Sequence, residues 1–420
     1  MLDNTLYIIR KFIPSPIFNF FSPAYHWSLS LLGAIIYRFP SKKIKVIAVT
    51  GTKGKSSTVE IINAILEKAG HKTALSNTIR HKIGDISEKN LFKMSTPGRF
   101  FLQKFIRKAV TNNCKYAILE ISSQGSMFYR HNFIDLDTFI FTNLSPEHIE
   151  AHGSYENYLK AKLTIAKSLE RSSKPEKTII VNGDDREAFN FLEPKADKKI
   201  TYSLKQVEPY NFTKDGIDFT YEDNKIHSHL EGVFNLYNIL ASITCAKNEG
   251  VSNEIIKQAI ESLKSIPGRL EKIEGSNFTI IVDYAHTTDS LQKIYEVYKS
   301  TSIIGVLGGT GGGRDTSKRK EMGKIADEYC KEIILTNEDP YDEDPMKIID
   351  DVAQGIVKNK PHKILDRRLA IRKALELAKH GNTVIISGKG TDPYIMGPNN
   401  SKMPWSDAEV VREELRNLSH

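Results

Sequence analysis

The residues with the clearest capacity for chemistry lie in Lys45–Thr58, which reads KVIAVTGTKGKSST. An apolar β-branched run ends in a glycine turn, which brings one lysine and two serines to a predicted helix at Val59–Ala69. This order is typical of a nucleotide phosphate site, because loop N–H groups and a helix N-terminus attract phosphate oxygens. The Lys55 ammonium can reach the β- and γ-phosphates, and a serine hydroxyl can ligate Mg²⁺. The residues expected to bind ATP are Gly51, Thr52, Lys53, Gly54, Lys55, Ser56 and Ser57.

Carboxylates and imidazoles follow two further predicted strands. Glu120 ends the first strand in ILEISSQG, and Glu147, His148 and His152 follow the second in TNLSPEHIEAHG. Because the carboxyl ends of parallel strands meet at one edge of a sheet, these groups are expected near the phosphate loop. Glu120 and His148 are therefore predicted to ligate the Mg²⁺ that accompanies ATP. The alternative for a lone histidine is an ordinary surface or core residue.

A second set of strand-end residues occurs in the C-terminal part of the chain. Asp283 and His286 lie in VDYAHT, and Arg269 lies in IPGRLE at a suspected domain boundary, where its guanidinium could contact a γ-phosphate. The segment GGTGGGR is too rich in glycine for an ordinary turn and could approach a phosphate or substrate closely; a flexible loop is the alternative. The segments predicted to share this edge are Asp283, Gly308 to Arg314, Thr336 to Asp339 and Gly388 to Asp392.

The elements that must position these residues follow a repeated β–α pattern. From Lys45 to about Ser265 the near-continuous apolar strands predict a parallel sheet covered on both faces. Residues from about Thr201 to Gly232 alternate polar and apolar and predict a small antiparallel excursion. The predicted strands are Lys45–Thr50, Tyr116–Ile121, Thr138–Thr142, Phe278–Asp283, Ser302–Leu307, Glu332–Thr336 and Thr383–Ser387, and the later helices are Ser290–Lys299, Lys318–Lys331, Met346–Lys358 and Arg368–His380. The fold class is therefore α/β, with a central P-loop ATPase domain and a second, Rossmann-like C-terminal α/β domain.

Composition limits the possible classes of function. The chain has 420 residues, which predicts two or three domains, and its 40% hydrophobic and 26% charged content is that of a globular protein. The formal charge of +8 comes from scattered lysines without interleaved aromatics, so an anionic small molecule explains it better than nucleic acid. The three cysteines are far apart, which indicates neither disulfides nor a zinc site and fits a reducing cytoplasm.

Residues 1–43 differ from the rest in composition. The stretch AYHWSLSLLGAIIY is too short and too polar to span a bilayer, and no signal-peptide cleavage site follows it. Arg38, Lys42 and Lys43 come next, so the segment could lie in a membrane interface as a peripheral contact, or it could form a helix that packs on the following domain.

In combination these motifs resemble those of the Mur ligase family, which comprises ATP-dependent, amide-bond-forming ligases of peptidoglycan precursors. Within the family the pattern is most similar to the tripeptide synthetases, which extend a UDP-N-acetylmuramoyl-dipeptide. The motifs that carry the resemblance, in family order, are TGTKGKSS, STPGR, EISSQG, TNLSPEHIEAHG, YLKAK, NGDD, GVFNLYN, IPGRLE, VDYAHT, GGGRD, GKG and WSDAEVV. The domains it implies are an atypical segment at 1–43, a central ATP-binding domain at 44–266 and a C-terminal domain at 267–420.

The resemblance also implies roles for single residues. Lys162 matches a lysine that CO₂ carbamylates in the family to support a second Mg²⁺, although from the sequence alone it is a helix-surface lysine. The implied catalytic residues are Lys55, Glu120, His148 and Lys162, and the implied metal ligands are Ser56, Glu120, His148 and, if carbamylated, Lys162. Implied ATP contacts are Asn238 at adenine and Arg269, Asp283 and His286, whereas Thr96, Ser122, Arg130, Arg314, Glu338, Asp339, Gly388 and Asp392 match substrate positions.

The departures from the family pattern concern the substrate. Residues 1–43 leave no obvious uridine-binding domain before the phosphate loop, so the carrier group of the acceptor is open. Where enzymes that add diaminopimelate have DNPR, this chain reads Glu338 to Tyr341, EDPY; it thereby loses an arginine that binds a distal carboxylate and keeps two acids. A second ammonium would suit those acids, so lysine or ornithine is expected rather than diaminopimelate.

We therefore expect a monomeric, cytoplasmic ligase with a possible peripheral membrane contact through residues 1–43. It is expected to use ATP and Mg²⁺ and to add a diamino acid to a muramoyl-peptide precursor through an acyl phosphate. Its partners are small molecules, without nucleic acid. The alternatives are a Mur-like ligase acting on a lipid-linked or folate-type carboxylate, and a nucleotide-binding scaffold that does not ligate.

Overall fold

The computed structural model describes residues 15–147, 149–275, 277–313 and 315–418. They divide into two compact units. The N-terminal unit extends to Gln206 and includes Tyr237–Ala259; the C-terminal unit comprises Val207–Leu236 and the residues from Ile260 onward.

A sheet of eight strands forms the centre of the N-terminal unit. Its order is β4-β3-β2-β5-β1-β6-β7-β8. Strands β2, β5, β1, β6, β7 and β8 run parallel, and β3 and β4 add an antiparallel hairpin at one edge. The apolar strands are buried because helices cover both faces. The strands are β1 (Lys45–Thr50), β2 (Thr73–Ser76), β3 (Arg80–Ile83), β4 (Ile86–Lys89), β5 (Tyr116–Glu120), β6 (Thr138–Phe141), β7 (Thr178–Asn182) and β8 (Lys198–Tyr202).

The C-terminal unit contains three sheets. The largest has the order β12-β13-β17-β14-β15-β16 and is parallel except for β12. Alternate residues of each strand enter two apolar clusters: Ile303 and Leu307 of β14 lie in one, Ile304 and Val306 in the other. The strands are β9 (Asn211–Thr213), β10 (Gly216–Tyr221), β11 (Asn224–Ser228), β12 (Glu271–Glu274), β13 (Thr279–Val282), β14 (Ser302–Leu307), β15 (Cys330–Leu335), β16 (His362–Lys363), β17 (Asn382–Ile386), β18 (Tyr394–Met396) and β19 (Lys402–Pro404).

The helices connect these strands and flank the large sheets. None of those in the described part of the chain is both long and apolar enough to cross a membrane. The α-helices are α1 (Ser15–Ile36), α2 (Lys55–Lys68), α3 (Arg99–Thr111), α4 (Ser123–Met127), α5 (Ile149–His152), α6 (Tyr155–Glu170), α7 (Ala188–Leu192), α8 (Val233–Asn248), α9 (Asn253–Ser262), α10 (Thr288–Tyr298), α11 (Ser317–Tyr329), α12 (Pro345–Ala353), α13 (Arg367–Leu377) and α14 (Asp407–Leu418), and short 3₁₀ turns occupy Pro40–Lys43, Leu204–Gln206 and Pro398–Asn400.

The predicted α/β fold is confirmed, with corrections to several helix bounds; the predicted helix Arg368–His380, for example, spans Arg367–Leu377. The predicted helix Lys318–Lys331 ends at Tyr329, because Cys330 already pairs with Ile303 and begins β15. The predicted helix Met346–Lys358 begins at Pro345 and ends at Ala353. Asp327 accepts hydrogen bonds from the backbone N–H groups of residues 357–359, which holds that segment as a loop.

A buried ion pair fastens α13 to α14 in the C-terminal unit. Arg367 donates from Nε and Nη2 to the two carboxylate oxygens of Asp407, at 2.8 and 2.7 Å, and neither side chain is more than 1% exposed. Arg367 Nη2 also donates to the carbonyl of Ser387 at 2.8 Å, and the indole of Trp405 donates to Asp407 at 2.7 Å. Both charges are therefore fully hydrogen-bonded, as burial requires.

We expect Arg367→Met to lower the free energy of unfolding by about 3–5 kcal/mol, because it leaves the Asp407 carboxylate buried without its cation. Urea unfolding followed by Trp405 fluorescence in a Trp27→Phe background measures the change. Arg372→Met, on an exposed part of the same helix, is the matched control and should change stability by less than about 0.5 kcal/mol. Equal effects of the two substitutions would contradict the role given to the buried pair.

Candidate functional site

The phosphate loop lies between β1 and α2. α2 begins at Lys55 rather than at the predicted Val59, because Gly54 adopts a left-handed conformation with φ of 82° and caps the helix. A side chain at residue 54 would also collide with the amide of Asn238. Lys55, Ser56 and the buried Ser57 therefore lie in the first helical turn, whose free N–H groups suit a phosphate.

The loop is held in place by residues after β6, of which Glu147 was singled out from the sequence and Thr142 and Asn143 were not. The side-chain Oδ1 of Asn143 accepts a hydrogen bond from the backbone N–H of Lys53 at 2.9 Å. The backbone carbonyl of Asn143 accepts one from the N–H of Thr52 at 2.8 Å. The Thr142 hydroxyl donates to the carbonyl of Lys53 at 2.7 Å, while the Lys53 ammonium lies 3.0 Å from Glu147. The sequence signal that indicates these residues is their position directly after β6, the strand that pairs in parallel with β1.

Glu120 and Ser56 come together as the strand-end argument expected. β5 pairs with β1, and the Ser56 hydroxyl donates to the Glu120 carboxylate at 2.7 Å. The carboxylate also accepts hydrogen bonds from the N–H and the hydroxyl of Thr78, both at 3.0 Å, and is 3% exposed. Thr78 follows β2, the other neighbour of β5. A hydroxyl and a carboxylate beside a phosphate loop are the oxygen ligands that Mg²⁺ prefers, so this donor set fits the ion.

Lys162 is not the surface lysine that the sequence alone predicts. It is 1% exposed on α6, donates to the carbonyl of Gly51 at 2.6 Å and lies 4.8 Å from the ring centroid of Tyr158. Burial, and then the nearby charge of Lys55, holds the pKa of Lys162 well below its usual value. The Lys162 amine is therefore neutral more readily than that of an exposed lysine.

Asn238 is the remaining predicted ATP-binding residue of this unit that the structure describes. Asn238 lies beside the loop, where its amide oxygen accepts a hydrogen bond from Thr58 at 3.4 Å. His148 lies outside the described residues. The nearby His152 is buried, and its Nε2 lies 3.0 Å from the hydroxyl of Ser123.

The three residues expected at the muramoyl substrate are also brought together. Thr96 donates to the carbonyl of Glu120 at 3.1 Å and accepts from the N–H of Ser122 at 2.8 Å, and Arg130 donates to the carbonyl of Thr96 at 2.7 Å. Burial, followed by the neighbouring charge of Arg99, lowers the pKa of Arg130. Arg99 was not singled out from the sequence, and the two partly desolvated guanidinium groups suit an anion.

In the C-terminal unit, Asp283 connects the IPGRLE segment to the strand end. Its carboxylate accepts hydrogen bonds from the N–H groups of Leu270 and Ala285, both at 2.7 Å. The Arg269 guanidinium lies 4.7 Å from the Tyr284 ring centroid, and the His286 ring lies 4.6 Å from the same ring. The predicted Arg269, Asp283 and His286 therefore form one group.

The predicted acids at the second edge meet Lys389, which lies within the predicted segment Gly388 to Asp392 but was given no role from the sequence. Lys389 is buried and donates to Asp339 at 2.8 Å and to Asp392 at 3.0 Å. Glu338 is buried, accepts from the Thr310 hydroxyl at 2.9 Å, and has a pKa raised by that burial. Gly388 is required beside it, because a side chain there would contact the Glu338 carboxylate.

A pocket of about 530 Å³ lies next to this group. The residues that line it are Gly312, Gly313, Tyr341, Asp342, Glu343 and Asn400. Glu343 also pairs with Arg319 at 2.7 Å. Arg314, the predicted substrate residue of the glycine segment, lies outside the described residues.

Comparisons with known proteins agree with this arrangement. The family model described as the Mur ligase middle domain matches residues 49–246, and that described as the Mur ligase, glutamate ligase domain matches residues 268–390. These matches cover the phosphate loop, Glu120 and Lys162 in one part and the Arg269 group in the other.

Relatives match over nearly the whole chain. UDP-N-acetylmuramoyl-L-alanyl-D-glutamate–2,6-diaminopimelate ligase of Syntrophomonas wolfei is 35% identical over 405 residues, covering 93% of this chain and 82% of that protein. UDP-N-acetylmuramyl-tripeptide synthetase of Borrelia garinii is 36% identical over 414 residues, covering 93% and 80%. A solved structure of a UDP-N-acetylmuramoyl-L-alanyl-D-glutamate–2,6-diaminopimelate ligase aligns with a TM-score of 0.62 at 29% identity, covering 90% of this chain and 79% of that one.

We expect Lys162 to form a carbamate, because a neutral amine adds to CO₂ and releases a proton, whereas an ammonium does not react. With ¹³C-bicarbonate at neutral pH, ¹³C NMR should show one protein-bound carbamate that is lost in Lys162→Arg. Since the pKa of Lys162 is lowered, the signal should persist to a lower pH than carbamates of exposed lysines and fade once the pH falls below that lowered pKa.

Lys160→Arg is the matched control, because Lys160 is exposed on the same helix. Its carbamate signal should equal that of the unmodified protein. A signal that survives Lys162→Arg would refute the assignment to Lys162.

Proposed function

Because the chain belongs to the Mur ligase family of ATP-dependent amide-bond-forming ligases, we propose that it adds a diamino acid to a muramoyl-peptide cell-wall precursor. The observation that carries the proposal is the meeting of Ser56, Glu120 and the buried Lys162 at the phosphate loop. In this proposal residues 44–266 act as the ATP-binding domain and residues 267–420 as the C-terminal domain of the ligase, working in the cytoplasm.

The proposed reaction has two steps. A carboxylate oxygen of the acceptor attacks the γ-phosphorus of ATP, the bond to the bridging oxygen breaks, and ADP leaves. The amine of the incoming amino acid then attacks the acyl phosphate carbon and loses a proton, and the tetrahedral intermediate expels inorganic phosphate. Such transfer depends on positioning and charge neutralisation more than on a protein nucleophile.

The residues of the chain supply those two requirements. The Lys55 ammonium, which lies 3.0 Å from the carbonyl of Gly51 and 2.8 Å from that of Thr52, can turn to the phosphate oxygens. Ser56 and Glu120 would hold Mg²⁺, which neutralises phosphate charge when bound. Arg99 and Arg130 would bind the anionic acceptor near Glu120.

The choice of a diamino acid rests on the charge of the pocket beside Tyr341. Asp342 and Glu343 line it, and none of the six described residues that line it is basic, which favours a distal ammonium over a distal carboxylate. Asp339, in contrast, already accepts a hydrogen bond from Lys389, so we assign the recognition of that ammonium to Asp342 rather than to the Glu338–Asp339 pair.

Helix α1 favours a second candidate, a ligase that acts on a lipid-linked acceptor at the membrane surface. Phe21, Leu32 and Ile35 are exposed and Trp27 is 45% exposed, while the basic residues Arg38, Lys42 and Lys43 follow. An exposed apolar helix beside basic residues suits an anionic lipid interface. The same contact would also be compatible with a UDP-linked acceptor.

We expect phosphate release from ATP with Mg²⁺ and UDP-muramoyl-dipeptide to occur with L-lysine or L-ornithine but not with meso-diaminopimelate. Glu120→Gln should reduce the rate by about 100-fold or more, because it removes a metal-binding charge beside the phosphates. Glu88→Gln, on an exposed strand of the same sheet, is the matched control and should retain full rate. Phosphate release with diaminopimelate alone would overturn the proposed preference for lysine or ornithine. Inactivity with every acceptor and amino acid would favour the alternative of a nucleotide-binding scaffold that does not ligate.

We expect the protein to bind vesicles containing anionic lipid and to leave vesicles of neutral phosphatidylcholine unbound. In a Trp405→Phe background, Trp27 fluorescence should shift to shorter wavelength as its indole leaves water. Trp27→Ser with Ile35→Ser should weaken co-sedimentation, whereas Val357→Ser, which replaces an exposed apolar residue elsewhere, should not. Equal binding to both kinds of vesicle, or none to either, would contradict the membrane contact.

A further inference from the structure

Four residues of ligand type cluster on the small antiparallel sheet, away from the phosphate loop in the chain. His227 lies on β11 directly opposite Asp218 on β10, and His229 follows two residues later. His229 lies one residue beyond the end of β11, and the two imidazole rings are 4.7 Å apart. Asp215, in the turn before β10, completes the group.

The hydrogen bonds of His227 indicate which nitrogen is available to a ligand. Its Nδ1 lies 2.7 Å from Asp218 Oδ1, and because a carboxylate only accepts, Nδ1 carries the proton. The lone pair of Nε2 therefore lies on the other side of the ring, where Asp215 Oδ2 is 3.9 Å away. Histidine ligands of metal ions commonly have such a carboxylate on the second nitrogen, which orients the ring.

The spacing of the three remaining groups leaves room for an ion. One ligand atom each of Asp215, His227 and His229 lies within 4.8 Å of the others. The 3.9 Å between Nε2 and Oδ2 is too long for a hydrogen bond, but it suits two ligands that each lie about 2.0–2.2 Å from a shared ion.

We propose that Asp215, His227 and His229 bind a divalent transition metal ion such as Zn²⁺, with Asp218 orienting His227. Two imidazoles and one carboxylate favour Zn²⁺, Ni²⁺ or Co²⁺ over Mg²⁺, which prefers oxygen ligands. The ion would join the β9–β10 turn to β11 and so stabilise this sheet, a role independent of the proposed ligase reaction.

Lys264 limits the affinity of this site. Its ammonium lies 2.6 Å from Nε2 of His229, so it repels a cation held by the imidazoles and must turn away when the ion binds. Lys264 is exposed, so its side chain can move into solvent.

The test is calorimetric titration of the full chain, without affinity tag and stripped of metal, with Zn²⁺. Excess Mg²⁺ is present throughout to occupy oxygen-ligand sites such as that at Ser56 and Glu120. We expect one equivalent of Zn²⁺ to bind and to raise the midpoint of thermal unfolding, because the ion binds the native hairpin. Co²⁺ in its place should give visible absorption from a site with nitrogen ligands.

Variants separate this site from adventitious binding. His227→Ala with His229→Ala should abolish the saturable binding, Asp218→Ala should weaken it about 10–100-fold, and Lys264→Ala should tighten it several-fold. His380→Ala, which removes an exposed histidine elsewhere, is the matched control and should bind as the unmodified protein does. Zn²⁺ binding that survives the double substitution, or the absence of saturable binding to the unmodified chain, would overturn the proposal, whatever the result of the ligase assay.

Discussion

Two lysine side chains converge on one backbone oxygen, and the N-terminal unit depends on how that conflict is resolved. Lys55 and Lys162 both donate to the carbonyl of Gly51, at 3.0 and 2.6 Å. Two ammonium groups at a single buried carbonyl would repel each other strongly in so little water. The lowered pKa of Lys162 relieves this repulsion, because burial and Lys55 both favour its neutral form. The shift favours the neutral amine of Lys162, and Lys55, in the first turn of α2, is the lysine placed to meet phosphate.

The C-terminal unit uses its buried charges differently. Lys389 pairs with both Asp339 and Asp392, and Arg367 pairs with Asp407, so each of these carboxylates has a cation of the same unit beside it. Removing a partner from such a pair costs far more than removing an exposed one. These groups therefore shape the edge of the sheet, and discrimination between amino acids is better assigned to half-buried or exposed side chains such as Tyr341 and Asp342.

The parts of the fold that could be predicted from sequence are those in which local pattern and burial agree. β1 and β14 match their predicted bounds because an apolar run ends at a glycine in each. The start of α2 was placed too late, since the left-handed Gly54 was not recognised as its cap. The hairpin of β3 and β4 was missed because its strands are short and largely polar.

The residues of the candidate site were likewise predictable only where the local sequence pattern was sufficient. Ser56 and Glu120 were predictable because strand order alone brings them together. The burial of Lys162 was not, because a lysine is usually exposed and only the packing of α6 against the loop, where Lys162 meets the carbonyl of Gly51, removes it from water. Thr78 was missed for a similar reason, since its partner Glu120 lies on β5, distant in sequence. Lys389 was given no role although one of its partners, Asp392, is three residues away.

Ligand chemistry distinguishes the proposed Mg²⁺ site at the phosphate loop from the proposed transition-metal site on the small sheet. Ser56 and Glu120 present only oxygen, on groups fixed by Thr78 and the sheet, which suits a hard ion that arrives with phosphate. Asp215, His227 and His229 present two nitrogens, which suit a softer ion and disfavour Mg²⁺. Because two imidazoles disfavour Mg²⁺, whereas Mg²⁺ arrives at the phosphate loop together with ATP, the proposed transition metal would stabilise the small sheet while Mg²⁺ serves the phosphate loop. The two sites can therefore be occupied independently in the same cell.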